Sequence, residues 1–425
     1  MTNLLHCLEK RGLLEAATQE NLHEIFEKPT KIYLGFDPTA DSLHLGHLVG
    51  IIILAWCQKF GHTPYVLIGG ATGRVGDPSG KSVERPLLLD EEIRKNVASI
   101  RKHFDTMLDF SNVKAKPEIV NNDTWLSPLH FLDFLRDVGK HFRVGNMLAK
   151  ESVRSRINSE EGMSFTEFSY QILQAYDFYH LFKEKGVCVE FGGSDQWGNI
   201  VSGIDLIRKL CGKQVFGVTF PLLTRSDGKK FGKTESGAVW LSPDKLSPYQ
   251  FYQYLITIPD ADVTKMMRML TFMELDEIAE YEKQMQKADY IPNTVQRRLA
   301  EELTRFVHGE EGLQAAQRAT QAAMPGSKAV LDASVLEEVI KDMPSCEMSL
   351  EEVIGKKFVD IIVKVDLLPS KAEVLRMMKN GGMLLNNNKI EDPQRIIEKE
   401  DLVGGQYLLL GVGKKKKLLL HVKKL

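Results

Sequence analysis

Two short segments carry the residue types that phosphate chemistry requires: His44-Leu45-Gly46-His47 and, far downstream, Lys230-Phe231-Gly232-Lys233-Thr234. Each can grip an anion, and a pair can hold one triphosphate from two sides. A His-Leu-Gly-His tetrapeptide alone says little, because a histidine at a helix start is more often a capped surface residue. Its setting says more. Lys31-Ile32-Tyr33-Leu34-Gly35-Phe36 reads as a strand, Asp37-Pro38-Thr39-Ala40-Asp41-Ser42 as a tight polar connection, and residues 45–60 as a largely apolar helix ended by Gly61. Strand, turn and helix start make an anion site, since the first helical N–H groups lack partners and the dipole there favours negative charge. His44 and His47 lie three apart on that first turn and point the same way.

A second set of residues suits a small polar ligand. Residues 165–181 read as a helix on which Tyr170, Gln174 and Asp177 fall at i, i+4 and i+7, one continuous stripe. A solvated face would space polar residues as well. Yet a phenol, an amide and a carboxylate among Phe165, Phe168, Leu173, Tyr176 and Phe178 resemble a lined pocket. The strand Val187-Cys188-Val189-Glu190-Phe191 then runs into Gly192-Gly193-Ser194-Asp195-Gln196-Trp197-Gly198-Asn199. Two glycines at a strand end let backbone approach a ligand, and an acid just beyond can bind a ribose hydroxyl pair. Thr63-Pro64-Tyr65-Val66-Leu67-Ile68-Gly69-Gly70 reads as a further buried strand entering a Gly-rich loop, residues 71–81. The glycines serve a simple turn equally well; Asp77 and Lys81 within the loop favour a ligand.

The elements that position these groups follow. Strand, helix and strand in succession predict a parallel, doubly wound α/β sheet. Residues 90–156 read as helical and charged, with apolar patches at Phe131-Leu132-Asp133-Phe134-Leu135 and Val144-Gly145-Asn146-Met147-Leu148. Such an insertion serves as a lid or a subunit contact, and the contact is favoured. The 425 residues suit roughly two to three domains. With 55 Lys plus Arg against 57 Asp plus Glu the chain is nearly neutral, so a polyanion must meet local patches. Cys7, Cys57, Cys188, Cys211 and Cys346 form no Cys-x-x-Cys pair, which argues against a zinc site and for a reducing compartment. Residues 1–12 lack the apolar region of a secretory signal, and the longest apolar stretch, 48–57, is about half of a membrane span. A soluble, cytoplasmic protein is expected.

The two phosphate segments resemble the two signatures of class I aminoacyl-tRNA synthetases. Combined with Gly35-Phe36-Asp37-Pro38-Thr39-Ala40 and Gly192-Gly193-Ser194-Asp195-Gln196, they resemble the bacterial-type tyrosyl-tRNA synthetases in particular, nearly end to end. The resemblance implies a Rossmann-like catalytic domain over 1–246, with a helical insertion at about 90–160 and a lysine loop at 230–234. An α-helical anticodon-stem domain over 247–324, a connector over 325–348 and a small α+β S4-like RNA-binding domain over 349–425 follow. Tyr33 and Asp177 match the pair that bonds the hydroxyl of a tyrosine substrate, Asp77, Tyr170 and Gln174 the group around its ammonium, and Gln196 a contact near its carboxylate. Asp37, Gly193 and Asp195 match adenosine and ribose contacts, and Thr39, His44, Gly46 and His47 the phosphate and ribose side of an ATP site. Lys230, Lys233 and Thr234 match a mobile loop closing on departing pyrophosphate. Leu34 stands where some members carry a cysteine reaching the ribose, so that contact is expected to be absent. Gly232 replaces the more general serine of the second signature.

The implied partners are L-tyrosine, ATP with Mg2+ and tRNA(Tyr), with no resident metal or organic cofactor, no membrane, and a homodimeric assembly. Activating an amino acid needs alignment and charge stabilisation rather than a protein nucleophile, which suits a site rich in His, Lys and Thr. A buried Asp177 left without a substrate hydroxyl disfavours phenylalanine, a discrimination for which this family is the standard example. Two other readings stand beside this one. A tryptophan synthetase or another adenylate-forming ligase would give Tyr33 and Asp177 no hydroxyl to bind, and an RNA-binding or splicing protein on a synthetase scaffold predicts damaged signatures, whereas both are intact.

Residues 293–309 read as a helix capped by Asn293, striped by Val295, Leu299, Leu303, Phe306 and Val307 and stopped by Gly309; Arg297, Arg298 and Arg305 suit a solvated face. Pro325-Gly326-Ser327 marks a boundary. The tail predicts a helix over 371–379 and strands at Met383-Leu384-Leu385 and Tyr407-Leu408-Leu409-Leu410. Its last stretch, 404–425, holds six lysines and no acid. A lysine run is commonly a solvated turn; beside the helix carrying Lys371, Arg376 and Lys379 it suits RNA phosphates.

Overall fold

The strands β1 (Ala16–Ala17), β2 (Lys31–Phe36), β3 (Thr63–Ile68), β4 (Glu118–Asn121), β5 (Val189–Gly193) and β6 (Phe216–Phe220) form one sheet in the order β1-β6-β5-β2-β3-β4. Only β1 runs antiparallel to its neighbour; β6, β5, β2, β3 and β4 are mutually parallel, the α/β arrangement expected. The computed structural model describes residues 3–19, 22–80, 85, 87–160, 162–226, 228, 231–234, 237–323, 336, 344–413 and 416–423, without the side chains of 233, 234, 322 and 323.

Both faces of the sheet are covered. The helix Leu45–Lys59 buries Leu48, Ile51, Ile52 and Leu54 and passes Gly50 over Leu34 and Phe36. Being enclosed on nearly all sides, it shows no polar stripe. On the opposite face Tyr33, Tyr65 and Leu67 pack with Phe178, Leu181 and Ile207 from the helices Phe165–Lys185 and Trp197–Cys211. Strand order proceeds outward through β3 and β4 on one side and through β6 on the other. The reversal point therefore lies between β2 and β5, where open α/β sheets hold ligands beyond the strands' carboxyl ends.

The stretch expected to be helical throughout contains a strand. After the helix Asp90–Met107, β4 joins the sheet edge beside β3, and the short helices Asp123–Leu126, Phe131–Asp137, Val144–Leu148 and Glu151–Ile157 follow. Four residues are too few to display a period of two, which hid β4 among helical patterns. A bidentate pair ties this insertion down: Arg156 Nε and Nη2 meet the Glu167 carboxylate at 2.8 and 2.9 Å, both side chains buried.

The chain divides into two compact units, Met1–Lys245 with Ile258–Leu299 and Leu246–Thr257 with Ala300–Leu425. The division falls within Thr294–Ala323, which is two helices in succession: Gly309, at φ 73° and ψ −179°, breaks the first as expected, and helix resumes beyond it. Asn293 sits in the left-handed region at φ 64°, and the Val295 N–H donates to the Tyr290 hydroxyl at 3.4 Å.

A hairpin of β7 (Lys233–Thr234) and β8 (Gly237–Ala238) follows the first sheet in sequence. In the second unit, β9 (Ser345–Ser349), β10 (Met383–Leu385), β11 (Asn388–Lys389), β12 (Tyr407–Val412) and β13 (Lys416–Lys423) pair in the order β11-β10-β12-β13-β9. The helices Phe358–Lys364 and Lys371–Lys379 close a core of Val353, Phe358, Ile362, Val374, Leu408 and Leu420. β9 comes from a stretch that reads as connector; residues 324–335 and 337–343 of that stretch lie outside the described residues. The lysine run is not wholly a solvated turn. Lys416 Nζ donates to the Leu367 carbonyl at 2.6 Å and Lys417 Nζ to Asn387 Oδ1 at 2.9 Å, and burial lowers Lys417 to about 8. Among the described residues no helix is long and apolar enough to cross a membrane.

Candidate active site

Beyond the carboxyl ends of β2 and β5 opens a cavity of about 470 Å3. Its lining includes Tyr33, Asp37, Thr39, His44, Gly46, His47, Asp77, Tyr170, Gln174, Asp177, Gly193, Asp195 and Gln196. Residues from four separate stretches of sequence thus meet around one space. Leu34, apolar where a polar ribose contact was expected to be lost, lines it too, with Thr72, Arg85, Phe231 and Gly232. Lys81 and Lys230 lie outside the described residues; Lys233 and Thr234 are placed by their backbone in β7.

The stripe on Phe165–Lys185 turns inward. Asp177 is buried, and its two oxygens accept from Asn122 Nδ2 at 2.9 Å and Trp125 Nε1 at 2.7 Å. Burial pushes its carboxyl up to about 8; the two N–H donors pull it back, and the charges of Asp37 and Glu190 add to the rise. Asn122 has no freedom to flip, since its Oδ1 accepts from the Ala71 N–H at 2.8 Å while its Nδ2 also donates to Thr72 Oγ1 at 3.0 Å. Trp125 stacks on His180 with ring centroids 4.4 Å apart. Sequence pattern singles out neither Asn122 nor Trp125. The available signal was their place just after β4, at the same carboxyl edge as the other site residues.

The acids nearby are paired differently from the expected ammonium group. Tyr170 Oη donates to Asp37 Oδ2 at 2.8 Å and Thr72 Oγ1 to Asp37 Oδ1 at 2.8 Å. Asp77 instead accepts from Gln196 Nε2 at 2.6 Å and from the Ser79 N–H at 3.0 Å. Burial, with the Asp77 charge next, raises Asp37 to about 6. A cationic ligand between such acids relieves both costs. Gln174 is fixed at both ends of its amide: Nε2 donates to Glu190 Oε1 at 2.9 Å, and Oε1 accepts from Asn199 Nδ2 at 2.9 Å.

At the start of Leu45–Lys59 the two histidines stack, ring centroids 3.9 Å apart and planes 28° from parallel. His44 Nδ1 accepts from the Gly46 N–H at 3.1 Å, and His47 Nδ1 accepts from the His44 N–H at 3.2 Å. With both Nδ1 atoms acting as acceptors, each neutral ring carries its proton on Nε2, the tautomer able to donate to an anion. Close packing explains two of the glycines. A Cβ on Gly46 would stand 3.0 Å from the His44 ring, and one on Gly193 would stand 2.7 Å from Asp195 Oδ1.

The lysine-bearing segment is fastened beside this helix start. Val239 N donates to the Gly232 carbonyl, Leu45 N to the Val239 carbonyl and Leu241 N to the Leu43 carbonyl, each at 2.8 Å. Upstream, the Ser226 N–H donates to the buried Asp262 carboxylate at 2.8 Å, on the helix Asp260–Leu270. Both ends of the loop are therefore tied to rigid elements, and the two signatures share one neighbourhood.

The class defined by this sheet and cleft is that of class I tRNA synthetases: residues 26–324 match the profile of the family described as tRNA synthetases class I (W and Y). Residues 335–420 match the tyrosine--tRNA ligase SYY-like C-terminal domain. A tyrosine--tRNA ligase of Protochlamydia amoebophila is 56% identical over 422 residues, 99% of each chain. The chloroplastic/mitochondrial tyrosine--tRNA ligase of Arabidopsis thaliana is 51% identical over 427 residues, 99% of this chain and 84% of its own. Among solved structures, a C-terminally truncated mitochondrial tyrosyl-tRNA synthetase from Aspergillus nidulans superposes with a TM-score of 0.67 at 32% identity, over 76% of this chain and 94% of its own. The chain belongs to the tyrosine--tRNA ligase family.

Proposed function

We propose that this enzyme activates L-tyrosine with ATP, Mg2+ arriving with the nucleotide, and then passes the tyrosyl group to the 3′ end of tRNA(Tyr). In the first step a carboxylate oxygen of tyrosine attacks the α-phosphorus, the α–β bridging bond breaks, and its electrons leave with pyrophosphate. In the second, a terminal ribose hydroxyl of the tRNA attacks the tyrosyl carbonyl and AMP departs. Neither step calls for a protein nucleophile; both need alignment and stabilisation of moving charge.

The observation that carries this reading is the shared cavity, in which a buried carboxylate held by two N–H donors lies with a stacked histidine pair at a helix start. Asp177 accepts the phenol hydrogen of tyrosine and Tyr33 is the second partner of that oxygen. Asp77, Tyr170 and Gln174 surround the ammonium, Tyr170 acting next to Asp37, and Gln196 orients the carboxylate. Asp37, Gly193 and Asp195 take the adenosine and ribose, and Thr39, His44, Gly46 and His47 take the phosphates. Lys230, Lys233 and Thr234 close on the leaving pyrophosphate from a loop whose ends are fixed.

Amino-acid-dependent exchange of labelled pyrophosphate into ATP, without tRNA, tests this directly. Exchange with tyrosine and not with phenylalanine or tryptophan is expected. No exchange with any of the three, from folded protein, favours an RNA-binding role instead. In Lys233→Ala, adenylate formation falls about 10²–10³-fold, the range for losing one transition-state charge contact, while tyrosine affinity holds. An equal loss of tyrosine affinity by equilibrium titration would refute the role.

A homodimer is part of the same reading. Phe131, Leu132 and Val144 of the insertion and Phe165 just after it are exposed at 62%, 76%, 61% and 69%, which supports a subunit contact through this part of the chain. In the tail, Lys371, Arg376 and Lys379 are exposed on one short helix and suit phosphate contacts with tRNA, although Lys371 pairs with Asp360 at 2.7 Å and Arg376 with Glu373 at 3.3 Å. A cytoplasmic location accords with cysteines that are all free thiols.

A further inference from the structure

One row of side chains crosses the sheet at a single level: Gly217 on β6, Glu190 on β5, Tyr33 on β2, Tyr65 on β3 and Glu118 on β4 are successive register partners. Register partners in parallel strands point to the same face, here the one covered by Phe165–Lys185. The row contains two acid–phenol neighbours, and they differ. At the sheet edge Tyr65 Oη donates to Glu118 Oε1 at 2.8 Å, and Lys185 pairs with the other Glu118 oxygen at 2.9 Å. In the interior, Tyr33 and Glu190 are buried, and among the described residues neither Tyr33 Oη nor Glu190 Oε2 makes a hydrogen bond of ordinary geometry. The phenol is nevertheless near enough to hold the acid's rise in check: burial brings Glu190 to about 7, with the Gln174 amide and the Tyr33 hydroxyl opposing. A buried carboxyl with no cation beside it among the described residues is costly to keep unless it performs some task.

Its partners indicate the task. Glu190 does not line the cavity, but Tyr33 and Gln174, the two side chains it faces, both do. Glu190 Oε1 accepts from Gln174 Nε2, which leaves the Gln174 oxygen to Asn199 and the cavity. With a residue unable to accept at 190, the amide would lose the interaction that favours this orientation, and an amide nitrogen can turn toward the ligand.

We propose that Glu190 is a positioning residue of the tyrosine pocket, setting the Gln174 amide so that its oxygen faces the substrate ammonium and directing the Tyr33 hydroxyl. The inference rests on the tyrosine-ligase reading above. The titratable groups that act on it are Tyr33 on β2 and Asp177 on the covering helix; its partner on β6, Gly217, offers no side chain. As pH rises through about 7 Glu190 ionises, becomes the stronger acceptor for Gln174 and adds negative charge near the ammonium. Tyrosine capture therefore strengthens across that interval through Glu190, and separately near 8 through Asp177.

The test is tyrosine-dependent pyrophosphate exchange by the full-length wild type, Glu190→Gln and Glu190→Ala, with KM for tyrosine, KM for ATP and kcat measured from pH 6 to 9. In Glu190→Ala, KM for tyrosine rises about tenfold or more, while KM for ATP and kcat change by less than about threefold. Glu190→Gln keeps a carbonyl that can accept from Gln174, so it recovers most of the tyrosine affinity, yet its kcat/KM profile loses the step near 7 and retains the Asp177 step, moved lower because the Glu190 charge no longer raises it. An unchanged KM for tyrosine in Glu190→Ala overturns the proposal. So does a loss shared equally by tyrosine and ATP in both variants, the mark of a merely structural residue, and a variant that fails to fold counts in the same direction. Absence of exchange in the wild type would instead bring down the ligase reading, and this inference with it.

Discussion

In Asp177→Asn, tyrosine-dependent pyrophosphate exchange falls by about three orders of magnitude in kcat/KM, with KM for ATP nearly unchanged. The size follows from the donors already present. Asn122 Nδ2 and Trp125 Nε1 are held at 2.9 and 2.7 Å from the two carboxylate oxygens, and neither can turn away: Asn122 is bound at Ala71 and Thr72, and Trp125 is stacked on His180. An amide at 177 sets its own NH2 against one of these donors and offers the phenol hydrogen a single neutral acceptor. Losing a hydrogen bond to a charged group costs about 1.5–3 kcal/mol, and one buried donor left unmatched costs about 1–3 more. A total near 4 kcal/mol corresponds to about 10³ in rate at constant substrate. A loss smaller than about tenfold would show that the phenol hydroxyl is read elsewhere.

The same carboxyl gives a pH dependence with a definite sign. Its folded pKa, about 8, lies above its ordinary value of 3.8, so its contribution to stability is full below about 4 and is lost as pH rises through 8. Asp37, raised to about 6, acts in the same direction over the lower part of that window. Tyrosine reverses the balance for Asp177, because a phenol hydrogen bonds best to the ionised form. The stabilisation conferred by saturating tyrosine, measured as a thermal shift, should therefore grow between pH 6 and 8, and a shift independent of pH would contradict it.

What sequence made visible was whatever depends on neighbours along the chain. The apolar runs of β2, β3 and β5, the enclosed helix Leu45–Lys59 and the tail helix Lys371–Lys379 are all local patterns of burial, read directly from period and length. The Tyr170, Gln174 and Asp177 stripe needed only helical spacing to bring three polar groups to one side. Other features arise from pairings between distant stretches. β4 is a four-residue strand whose only claim to the sheet is its register with β3, and with it Asn122 and Trp125 escaped notice. Glu190 read as an ordinary member of a strand, because its significance depends on Tyr33 in the next strand and Gln174 on the covering helix. Arg156 and Glu167 carry no local signal, since two helices must come together before the pair lies out of solvent.

Arg11→Ala should cost the first unit about 3–5 kcal/mol of stability, since each buried carbonyl left without its donor costs about 1–3 kcal/mol. Arg11 is 1% exposed, and its guanidinium serves as the terminus of a helix in another part of the chain. Nη1 donates to the carbonyls of Arg268 at 3.2 Å and Thr271 at 3.0 Å, and Nη2 donates to that of Met273 at 2.6 Å, just where Asp260–Leu270 ends. Those carbonyls have no onward helical partners, and the helix dipole gathers negative charge there, so a cation is favoured for two reasons. The guanidinium also lies 4.4 Å from the centre of the Trp56 ring, on the helix that begins beside His44 and His47. Truncation thus strands two buried carbonyls and a partly buried one and opens a gap against Trp56 at once. Arg11→Lys keeps the charge but loses the planar fork that spans the carbonyls and stacks on the indole, so it recovers less than half of the loss. Urea denaturation of the three proteins measures this; a difference below about 1 kcal/mol for Arg11→Ala would mean that water satisfies those carbonyls as well as the arginine does. Because Asp260–Leu270 also holds Ser226 through Asp262 at the head of the lysine loop, a partial loss that leaves the protein folded should raise KM for ATP more than KM for tyrosine.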